Sequence, residues 1–439
     1  MMVIIRRSGS KKDLSRTNKT QAKSSFIKCW LNRLSGVPAG EFGRSLPAAL
    51  ITLAVGSILL TPFLYFVSSR SLGTLEAEQT FNEQYAVDSG IEFGIWNILN
   101  SSTFRTQADA NPGSPQSVSF PGSINGYIPT ITVTALPIGS WYLRQFTPMS
   151  IERGGALAYG GGDRVYALRG NNSTSFGYYS ISADQWFGLA STPGIVRQGG
   201  ALVYGGGNFL YALRGRNTDN FWRYNISANT WSSMEDTPER VRAGGSLVYT
   251  GGNLIFAFRG NSNEFWRYNI SSDSWSNRAN APATVRFGAD LAYTGGNYIY
   301  AFQGNNQRNF WRYTISSNSW SSLQNAPDRV NNGGALAYYG GDYIYALRGT
   351  ATGFWRYTVT MDSWTELTDT PESVGRGGDL EFTHANGGFA FRGGNQSDFW
   401  EFEVTPPRYD IHSQAGSVLT DARIEIDGAT QTILFWDID

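Results

Sequence analysis

The amino-acid sequence predicts a mainly β protein in which one four-stranded unit recurs six times, behind a long amino-terminal helix. Three observations support this fold class: a strict repeat, four short strand-like runs in each repeat, and one long uncharged segment near the amino terminus. Tryptophans recur with successive gaps of 45, 45, 44, 45 and 44 residues, at Trp141, Trp186, Trp231, Trp275, Trp320 and Trp364. A constant period over more than half of a chain is the signature of a repeat architecture.

The copy at residues 241–275 shows what each unit contains. Runs reading GGSLVY, LIFAF and FWRYNI, and a fourth run around Trp275, are separated by Gly-, Asn- and Ser-rich segments that are typical of turns. The side chains of FWRYNI divide between two faces, as in a strand. Four strands in a period of about 45 residues are what one blade of a β-propeller requires. The sequence therefore predicts a six-bladed β-propeller of four-stranded blades.

The last repeat shows how the ring closes. Its third strand, FWEFEV, is followed by Thr-Pro-Pro, and no tryptophan follows at the expected spacing. The unpaired run around Trp141 precedes the first repeat and can supply the missing strand. Closure of this kind leaves no long free sheet edge.

The repeat resembles the kelch repeat, in which glycines of the inner strands are followed by an aromatic residue and then by a tryptophan in the outer strand. Tyr268 and Trp275 match that spacing. Where kelch units usually carry Gly-Gly, this chain has Arg-Gly in five copies and Gln303-Gly304 in the fourth. The resemblance covers about residues 139–406. It implies a kelch-type propeller but says little about activity, because one fold can host many functions.

A basic segment and an uncharged segment open the chain. Residues 1–45 contain ten Lys or Arg and two acids, and residues 46–67 carry no charge over 22 positions, enough helix to cross a bilayer of about 30 Å. Because the positive residues come first, we expect a cytoplasmic amino terminus and an extracellular remainder. A cleaved signal peptide is the alternative; the long leader without an A-x-A site argues against it. We predict a single-pass protein of the cell membrane.

The flanks of the repeats, residues 68–138 and 407–439, predict a small α+β stalk. Strand-like runs occur at 127–136, at 409–413 and on both sides of Asp427-Gly428. Between residues 71 and 100, apolar residues recur at mostly helical steps and predict one apolar stripe, made of Leu72, Leu75, Phe81, Tyr85, Ile91, Ile95, Ile98 and Leu99.

Residues 84–96 (QYAVDSGIEFGIW) resemble the segment after the membrane helix of pilin-like proteins of the PilX type. The matching residues are Tyr85, Ala86, Asp88, Gly90, Ile91 and Glu92. Gly43 is not followed by the Phe and fifth-position Glu of a prepilin cleavage site. The resemblance implies a pilin-like stalk into which the propeller is inserted, and other pilin-like subunits as partners. The alternative is that these flanks are plain appendages of the propeller.

Residues with catalytic or metal-binding chemistry are scarce. The single cysteine, Cys29, lies in the basic segment, and the two histidines, His384 and His412, are too few for a histidine-rich metal site. The cysteine and histidines that galactose-oxidase-like kelch enzymes require are therefore missing. No GxSxG, P-loop, HExxH or EF-hand pattern occurs. We expect no cofactor and no metal, and an enzyme is disfavoured, although a carboxylate site assembled across blades would leave no sequence motif.

The many aromatic residues have two interpretations. They could form a glycan-binding cleft, or they could pack blade against blade. Phe-Trp pairs recur in register in five of the six copies, which favours packing; they are Phe221-Trp222, Phe265-Trp266, Phe310-Trp311, Phe354-Trp355 and Phe399-Trp400.

One face of the predicted ring is more variable than the other. The loop between the second and third strands of each repeat (two–three loop) and the connection from its fourth strand to the next repeat (four–one connection) emerge on the same face and differ between copies. The turns between strands one and two and between strands three and four are nearly uniform. Each inner strand begins with Val-x-x-Gly-Gly or a near match, so its two variable positions would surround the channel mouth. We predict a ligand site there, made of Arg153, Arg197, Arg242, Arg286, Asn331 and Arg376. Guanidinium groups suit carboxylates or a polar glycan; bonds to carbonyls of neighbouring blades are the alternative role.

The sequence thus predicts a membrane-anchored extracellular module for adhesion, or for recognition of a glycan or protein. One alternative is a structural, minor-pilin-like component of a type IV pilus-like fibre. Another is a carbohydrate-active enzyme with carboxylates at the channel mouth. Nucleic acid is disfavoured as a partner, because the chain beyond residue 45 has 25 Arg against 33 acids.

Overall fold

The computed structural model describes residues 45–109, 112–383, 387–427 and 430–438. The predicted basic segment, apart from Ser45, and His384 lie outside these residues. The described chain divides into two compact units. Unit one comprises the described parts of Met1–Ser102, Pro115–Val133 and Tyr409–Asp439; unit two comprises those of Thr103–Ser114 and Thr134–Arg408.

Unit two contains six four-stranded antiparallel sheets, as the sequence predicts. Blade one consists of β4 Ala156–Tyr159, β5 Arg164–Leu168, β6 Phe176–Ser180 and β7 Gln185–Gly188, and blade two of β8 Ala201–Tyr204, β9 Phe209–Leu213, β10 Phe221–Asn225 and β11 Thr230–Ser233. Blade three consists of β12 Ser246–Tyr249, β13 Leu254–Phe258, β14 Phe265–Asn269 and β15 Ser274–Asn277, and blade four of β16 Asp290–Tyr293, β17 Tyr298–Phe302, β18 Phe310–Thr314 and β19 Ser319–Ser322. Blade five consists of β20 Ala335–Gly340, β21 Tyr343–Leu347, β22 Phe354–Thr358 and β23 Ser363–Glu366, and blade six of β24 Asp379–Thr383, β25 Gly387–Phe391, β26 Phe399–Glu403 and β3 Ser140–Leu143.

The six sheets form a closed ring. Each inner strand contacts the inner strands of the blades before and after it, and β24 of blade six contacts β4 of blade one. The fourth strand of blade six is β3, which pairs with β26 so that Trp141 lies opposite Phe402. The predicted closure by the Trp141 strand is therefore confirmed, and unit two is a six-bladed β-propeller.

A hydrogen-bonded clamp explains why tyrosine and tryptophan recur seven residues apart. In blade three, Tyr268 lies opposite Trp275 and donates to Asp273 at 2.5 Å. Asp273 also accepts from the backbone N–H of Glu235 in blade two at 2.9 Å, and the indole N–H of Trp275 donates to the Glu235 carbonyl oxygen at 2.9 Å. The indole of Trp320 makes the same bond to the blade before it, at Ala279. The repeat motif therefore joins neighbouring blades.

The aromatic residues form the core between blades. Phe265, Trp266 and Tyr268 of β14 are all buried, although they lie on both faces of the strand, because each blade is covered on both sides by its neighbours. Phe265 packs edge-on against Tyr313 and Trp320 of blade four at 4.9 and 5.0 Å between ring centroids. The prediction that these residues serve packing is confirmed.

Unit one contains a five-stranded sheet with the order β1-β2-β27-β28-β29. Its strands are β1 Gln116–Val118, β2 Thr130–Ala135, β27 Arg408–Ala415, β28 Val418–Asp427 and β29 Thr430–Ile438. The predicted strands at 127–136 and 409–413 are present with shifted bounds. The predicted hairpin is confirmed by the antiparallel pairing of β28 with β29, whereas its turn residue Gly428 lies outside the described residues.

Two helices complete the described chain, α1 Ser45–Asn100 and α2 Ser102–Asp109. The predicted apolar stripe of α1 is only partly correct. Ile91 and Ile98 are buried, but Leu72, Leu75, Phe81 and Tyr85 are exposed. The buried positions are instead Glu83, Ala86, Val87, Gly90, Ile91, Gly94 and Ile98. Three of these seven residues, Ala86, Gly90 and Gly94, are small, and the two glycines lie where α1 comes very close to the sheet.

Gly90 and Gly94 permit this close approach. A Cβ atom added to Gly90 would lie 2.1 Å from the Ser413 Oγ and 3.0 Å from the Pro129 Cβ, and one added to Gly94 would lie 2.7 Å from the Ile411 Cγ2. Gly90 belongs to the segment that resembles pilin-like proteins. Its place in that motif therefore has a packing reason within this unit.

We expect Gly90→Leu to loosen unit one, because the added side chain would separate α1 from β27. The cost should be roughly 1–3 kcal/mol and should appear as faster hydrogen exchange in peptides covering residues 408–427. Gly73→Leu in the same helix is the matched control, since nothing lies within 4 Å of a Cβ at that position. Equal exchange in the two variants would contradict the packing role of Gly90.

Within the described residues, no helical stretch is found that is both long and apolar enough to cross a membrane. The side chains of residues 46–59 and 63, which make up most of the predicted span, lie outside what is described. The span at residues 46–67 stays a prediction.

Candidate functional site in the propeller channel

A cavity of about 510 Å³ runs along the axis of the propeller and is lined by the six inner strands. The residues that precede the paired glycines lie at one end, where the inner strands begin. A set of tyrosines lies at the other end and consists of Tyr159, Tyr204, Tyr249, Tyr293 and Tyr338. Isolated bridges join two–three loops to four–one connections, as between Thr218 and Val241, so these segments share the first end. This is the face that the sequence predicts to be variable.

The two variable residues of the Val-x-x-Gly-Gly motif lie in different places. The second lines the channel, whereas the first packs against the neighbouring blade. A Cβ atom added to Gly199 would lie 2.1 Å from the Arg242 carbonyl oxygen, and one added to Gly154 would lie 2.1 Å from that of Arg197. The first variable residue thus sits with its backbone over a glycine of the preceding blade. The second variable residues that line the cavity are Arg153, Gln198, Phe287, Asn332 and Arg376.

Of the six predicted site residues, Arg153 and Arg376 line the cavity. They belong to blades one and six, which meet at the closure of the ring. Arg153 forms an ion pair with Glu152, with 3.9 Å between Nε and Oε1, and Arg376 is exposed. The cavity mouth therefore carries two guanidinium groups in adjacent blades.

The other four predicted residues, Arg197, Arg242, Arg286 and Asn331, do not line the described cavity. Arg242 is exposed and donates through Nε to the Asn217 side chain at 2.8 Å. Arg286 lies 5.6 Å from the centroid of the Phe287 ring, and its Nε is buried without a described hydrogen-bond partner. The structure therefore does not bring these side chains together with Arg153 and Arg376.

Three carboxyl groups that sequence reasoning missed line the same cavity: Asp290, Asp379 and Glu381. Asp290 and Asp379 are the first residues of β16 and β24, where the other inner strands begin with Ala or Ser. Glu381 stands two residues further along β24, where the other blades have Ala or Val. The acids thus lie just inside the end that Arg153 and Arg376 occupy.

Each of these acids reaches from its own blade to the next. Asp290 accepts from the Leu336 N–H of blade five at 2.8 Å and from the Ser246 hydroxyl of blade three at 2.7 Å. Asp379 accepts from the Leu157 N–H of blade one at 2.7 Å. Glu381 accepts from the backbone of Tyr159, also in blade one. The carboxyl groups therefore satisfy N–H groups that the inner strand edges would leave unpaired.

Burial raises the pKa of all three carboxyl groups, because it disfavours the charged form. The pKa of Asp290 rises to about 6 and that of Glu381 to about 8. The pKa of Asp379 is raised well above its usual value, first by burial and then by the charge of Asp290. Near neutral pH, the channel therefore holds carboxyl groups that both donate and accept hydrogen bonds.

The described residues contain no cluster of three or more His, Cys, Asp or Glu side chains that could hold a metal ion. His412 lies in β27 of unit one and pairs with Asp421.

No protein-family model and no curated protein matches the chain. One solved structure that is similar to it is described as the structure of YjhT, with 14% sequence identity and a TM-score of 0.47. That similarity covers 66% of this chain and 99% of the other. The assignment of a β-propeller to this chain rests on its own strand order, pairing and ring of inner-strand contacts.

Proposed function

We propose that this chain is a membrane-anchored extracellular binding module whose kelch-type propeller takes a carboxylate-bearing glycan at the channel mouth. The observation that carries the proposal is the arrangement of Arg153 and Arg376 above Asp290, Asp379 and Glu381 in one cavity. The cavity volume of about 510 Å³ lies within the range of small-molecule sites, roughly 300–1,000 Å³.

The two kinds of charged group suit different parts of such a ligand. Guanidinium groups bind carboxylates through paired, charge-assisted hydrogen bonds. Carboxyl groups that are partly protonated near neutral pH can donate to or accept from sugar hydroxyls. Gln198 and Asn332 at the mouth add further donors and acceptors, and Phe287 adds an apolar ring. A uronate-containing sugar therefore fits better than a neutral sugar or a purely apolar ligand.

We expect the double variant Arg153→Gln, Arg376→Gln to lose affinity for glucuronate-containing oligosaccharides by about tenfold or more. Isothermal titration calorimetry of the full-length chain measures this, with the corresponding glucose oligosaccharides as neutral ligands. The double variant Arg240→Gln, Arg329→Gln removes two exposed arginines that do not line the cavity and serves as the matched control. Equal losses in the two double variants would place binding outside the channel.

A second candidate function is a carbohydrate-active enzyme, which the raised pKa of Glu381 favours. A carboxyl group with a pKa of about 8 is protonated at neutral pH and can act as a general acid. Asp290, with a pKa of about 6, is then largely ionised and could act as the base. Turnover of a bound sugar by the wild-type chain and its loss in Glu381→Gln would favour the enzyme; binding without turnover would favour the recognition module.

We further propose that unit one is a pilin-like stalk and that residues 46–67 anchor the chain in the membrane. Supporting observations are the 22 uncharged residues, the continuous helix α1 and the packing of Gly90 and Gly94 against the sheet. A minor-pilin-like role in a fibre follows if the amino terminus is processed. Detection of a mature amino terminus at Arg44, together with the protein in purified surface fibres, would favour that role over a simple anchor.

A further inference from the structure

Blade one departs from the other five blades at one position of its third strand. The second residue of that strand is a buried tryptophan in every other blade: Trp222, Trp266, Trp311, Trp355 and Trp400, none more than 4% exposed. Blade one has Gly177 instead. The indole that fills the same space in the other blades is thus missing here.

The other blades show what this indole contacts. Trp266 lies opposite Ala257 in the neighbouring strand and packs edge-on against Trp275 of the outer strand, with 6.1 Å between centroids. The corresponding pairs of tryptophans have centroid separations between 6.2 and 6.4 Å, in Trp222–Trp231, Trp311–Trp320, Trp355–Trp364 and Trp141–Trp400. An indole therefore has a defined place between the second strand, the outer strand and the neighbouring blade.

In blade one a cavity of about 260 Å³ lies beside Gly177, where the ring of that indole would be. Only the Cβ position of Gly177 is closed, by the Phe187 carbonyl oxygen at 2.5 Å. Its walls include Ala167, which lies opposite Gly177, and Trp186 of the outer strand. Ile151 and Phe391, members of the same buried cluster, line it as well. Phe187 and Met149 also line it and are 40% and 45% exposed, so the cavity is accessible from solvent.

An arginine with spare hydrogen-bonding capacity lines the cavity. The arginine that directly follows the second strand bonds a side chain of the same loop in other blades, as Arg259 does with Glu264 at 2.9 Å and Arg392 with Asp398 at 3.1 Å. Blade one has Ser175 at that position, and Arg169 keeps only the bond from its Nε to the Ser150 carbonyl at 3.0 Å. Among the described residues, no side chain pairs with its terminal nitrogens.

We propose that this cavity binds a small molecule with one aromatic ring system, up to the size of indole, that carries a carboxylate. The ring takes the place that tryptophan occupies in the other blades and meets Trp186 edge-on. The carboxylate takes the place of the acid that partners the equivalent arginine and accepts from Arg169. This site is separate from the channel, and the proposal does not depend on the proposed glycan site.

The probes are indole-3-acetate and its neutral analogue, indole-3-acetamide. Titration calorimetry of the full-length chain, with ligand-observed saturation-transfer NMR, should detect saturable binding of indole-3-acetate. The amide should bind about tenfold more weakly, because it lacks the charge-assisted bonds to Arg169.

Gly188→Leu should fill the cavity and abolish binding of both probes. Gly188 lines the cavity opposite Gly177, and nothing lies within 4 Å of a Cβ at that position, so the new side chain begins in open space. Ser233→Leu introduces leucine at the equivalent position of blade two, where Trp222 already occupies the equivalent space, and should leave binding unchanged. If Gly188→Leu lowers the melting temperature, Met149→Trp is a second substitution that should close the cavity, because Met149 is an exposed residue that lines it.

Arg169→Gln should remove the preference for the carboxylate and leave binding of the amide unchanged. Blade four supports this design, because Gln303 stands at the equivalent position and donates to the Thr284 carbonyl at 3.0 Å, as Arg169 does to Ser150. The substitution therefore keeps the structural bond and removes the charge. Failure of the wild-type chain to bind either probe would overturn the proposal. So would binding that survives both Gly188→Leu and Met149→Trp.

Discussion

Gly199→Ala is expected to destabilise the propeller by about 2–5 kcal/mol, through two costs that add. Gly199 has a φ of +83°, which an L-residue adopts with difficulty. Its new Cβ would also lie 2.1 Å from the Arg242 carbonyl oxygen of the next blade, a backbone atom that cannot move alone. A thermal or denaturant unfolding series on the full-length chain measures the effect.

Gly207→Ala separates the two costs. Gly207 also has a positive φ, of +60°, but nothing lies within 4 Å of its added Cβ. We expect this variant to lose only the conformational part, about 1–2 kcal/mol. If both variants lose the same stability, the contact between Gly199 and the next blade contributes nothing to holding the ring together.

The free energy of unfolding is expected to fall as the pH rises, because of the buried carboxyl groups of the channel. The folded pKa of Glu381 is raised to about 8 from an ordinary value of 4.5. Between these values the folded state holds a proton that the unfolded state has lost. The stabilising effect of Glu381 is therefore complete below pH 4.5 and is lost as the pH rises through about 8, by an amount on the order of a few kcal/mol.

Glu381→Gln tests the assignment, because glutamine keeps an acceptor for the Tyr159 N–H and cannot ionise. Unfolding midpoints at about pH 5 and about pH 8.5 should differ less in this variant than in the wild type. Glu366→Gln, at an exposed position on the outer strand of blade five, is the control. Parallel pH profiles for wild type and Glu381→Gln would assign the dependence to other groups, such as Asp290 and Asp379 in the same cavity.

The propeller could be predicted from the sequence because its repeat is enforced by contacts between blades. Tyr268, Asp273 and Trp275 act together with the chain at Glu235, so each blade needs the same residues at the same spacing. The closing strand could be predicted for the same reason, since Trp141 occupies the position that the sixth repeat lacks.

The site could be predicted only in part, because the ring decides which residue of each pair faces the channel. The spacing of the repeat alone does not show whether Arg197 and Arg242, at the first variable position, or Arg153, at the second, line the channel. The backbone of the first variable residue lies over the glycine of the preceding blade, and only the second residue lines the cavity. A signal for the three acids was present, because Asp290, Asp379 and Glu381 replace small residues of an otherwise uniform inner strand.

The buried face of α1 could not be predicted from its large apolar residues. Phe81 and Tyr85 are each 63% exposed, whereas Ala86, Gly90 and Gly94 are buried. Where this helix approaches the sheet most closely, glycines form the contact. Hydrophobic size alone therefore misassigned the stripe, even though the helix and its length were expected.

A glycan array probed with two variants of the full-length chain tests the channel most directly. One variant is the double change Arg153→Gln, Arg376→Gln, and the other is the triple change Arg197→Ala, Arg242→Ala, Arg286→Ala. We expect the wild type and the triple variant to bind carboxylate-bearing glycans, and the double variant to lose them while keeping its melting temperature. Retention by the double variant and loss by the triple variant would contradict a site in the channel and would place recognition on the outer rim of the same face.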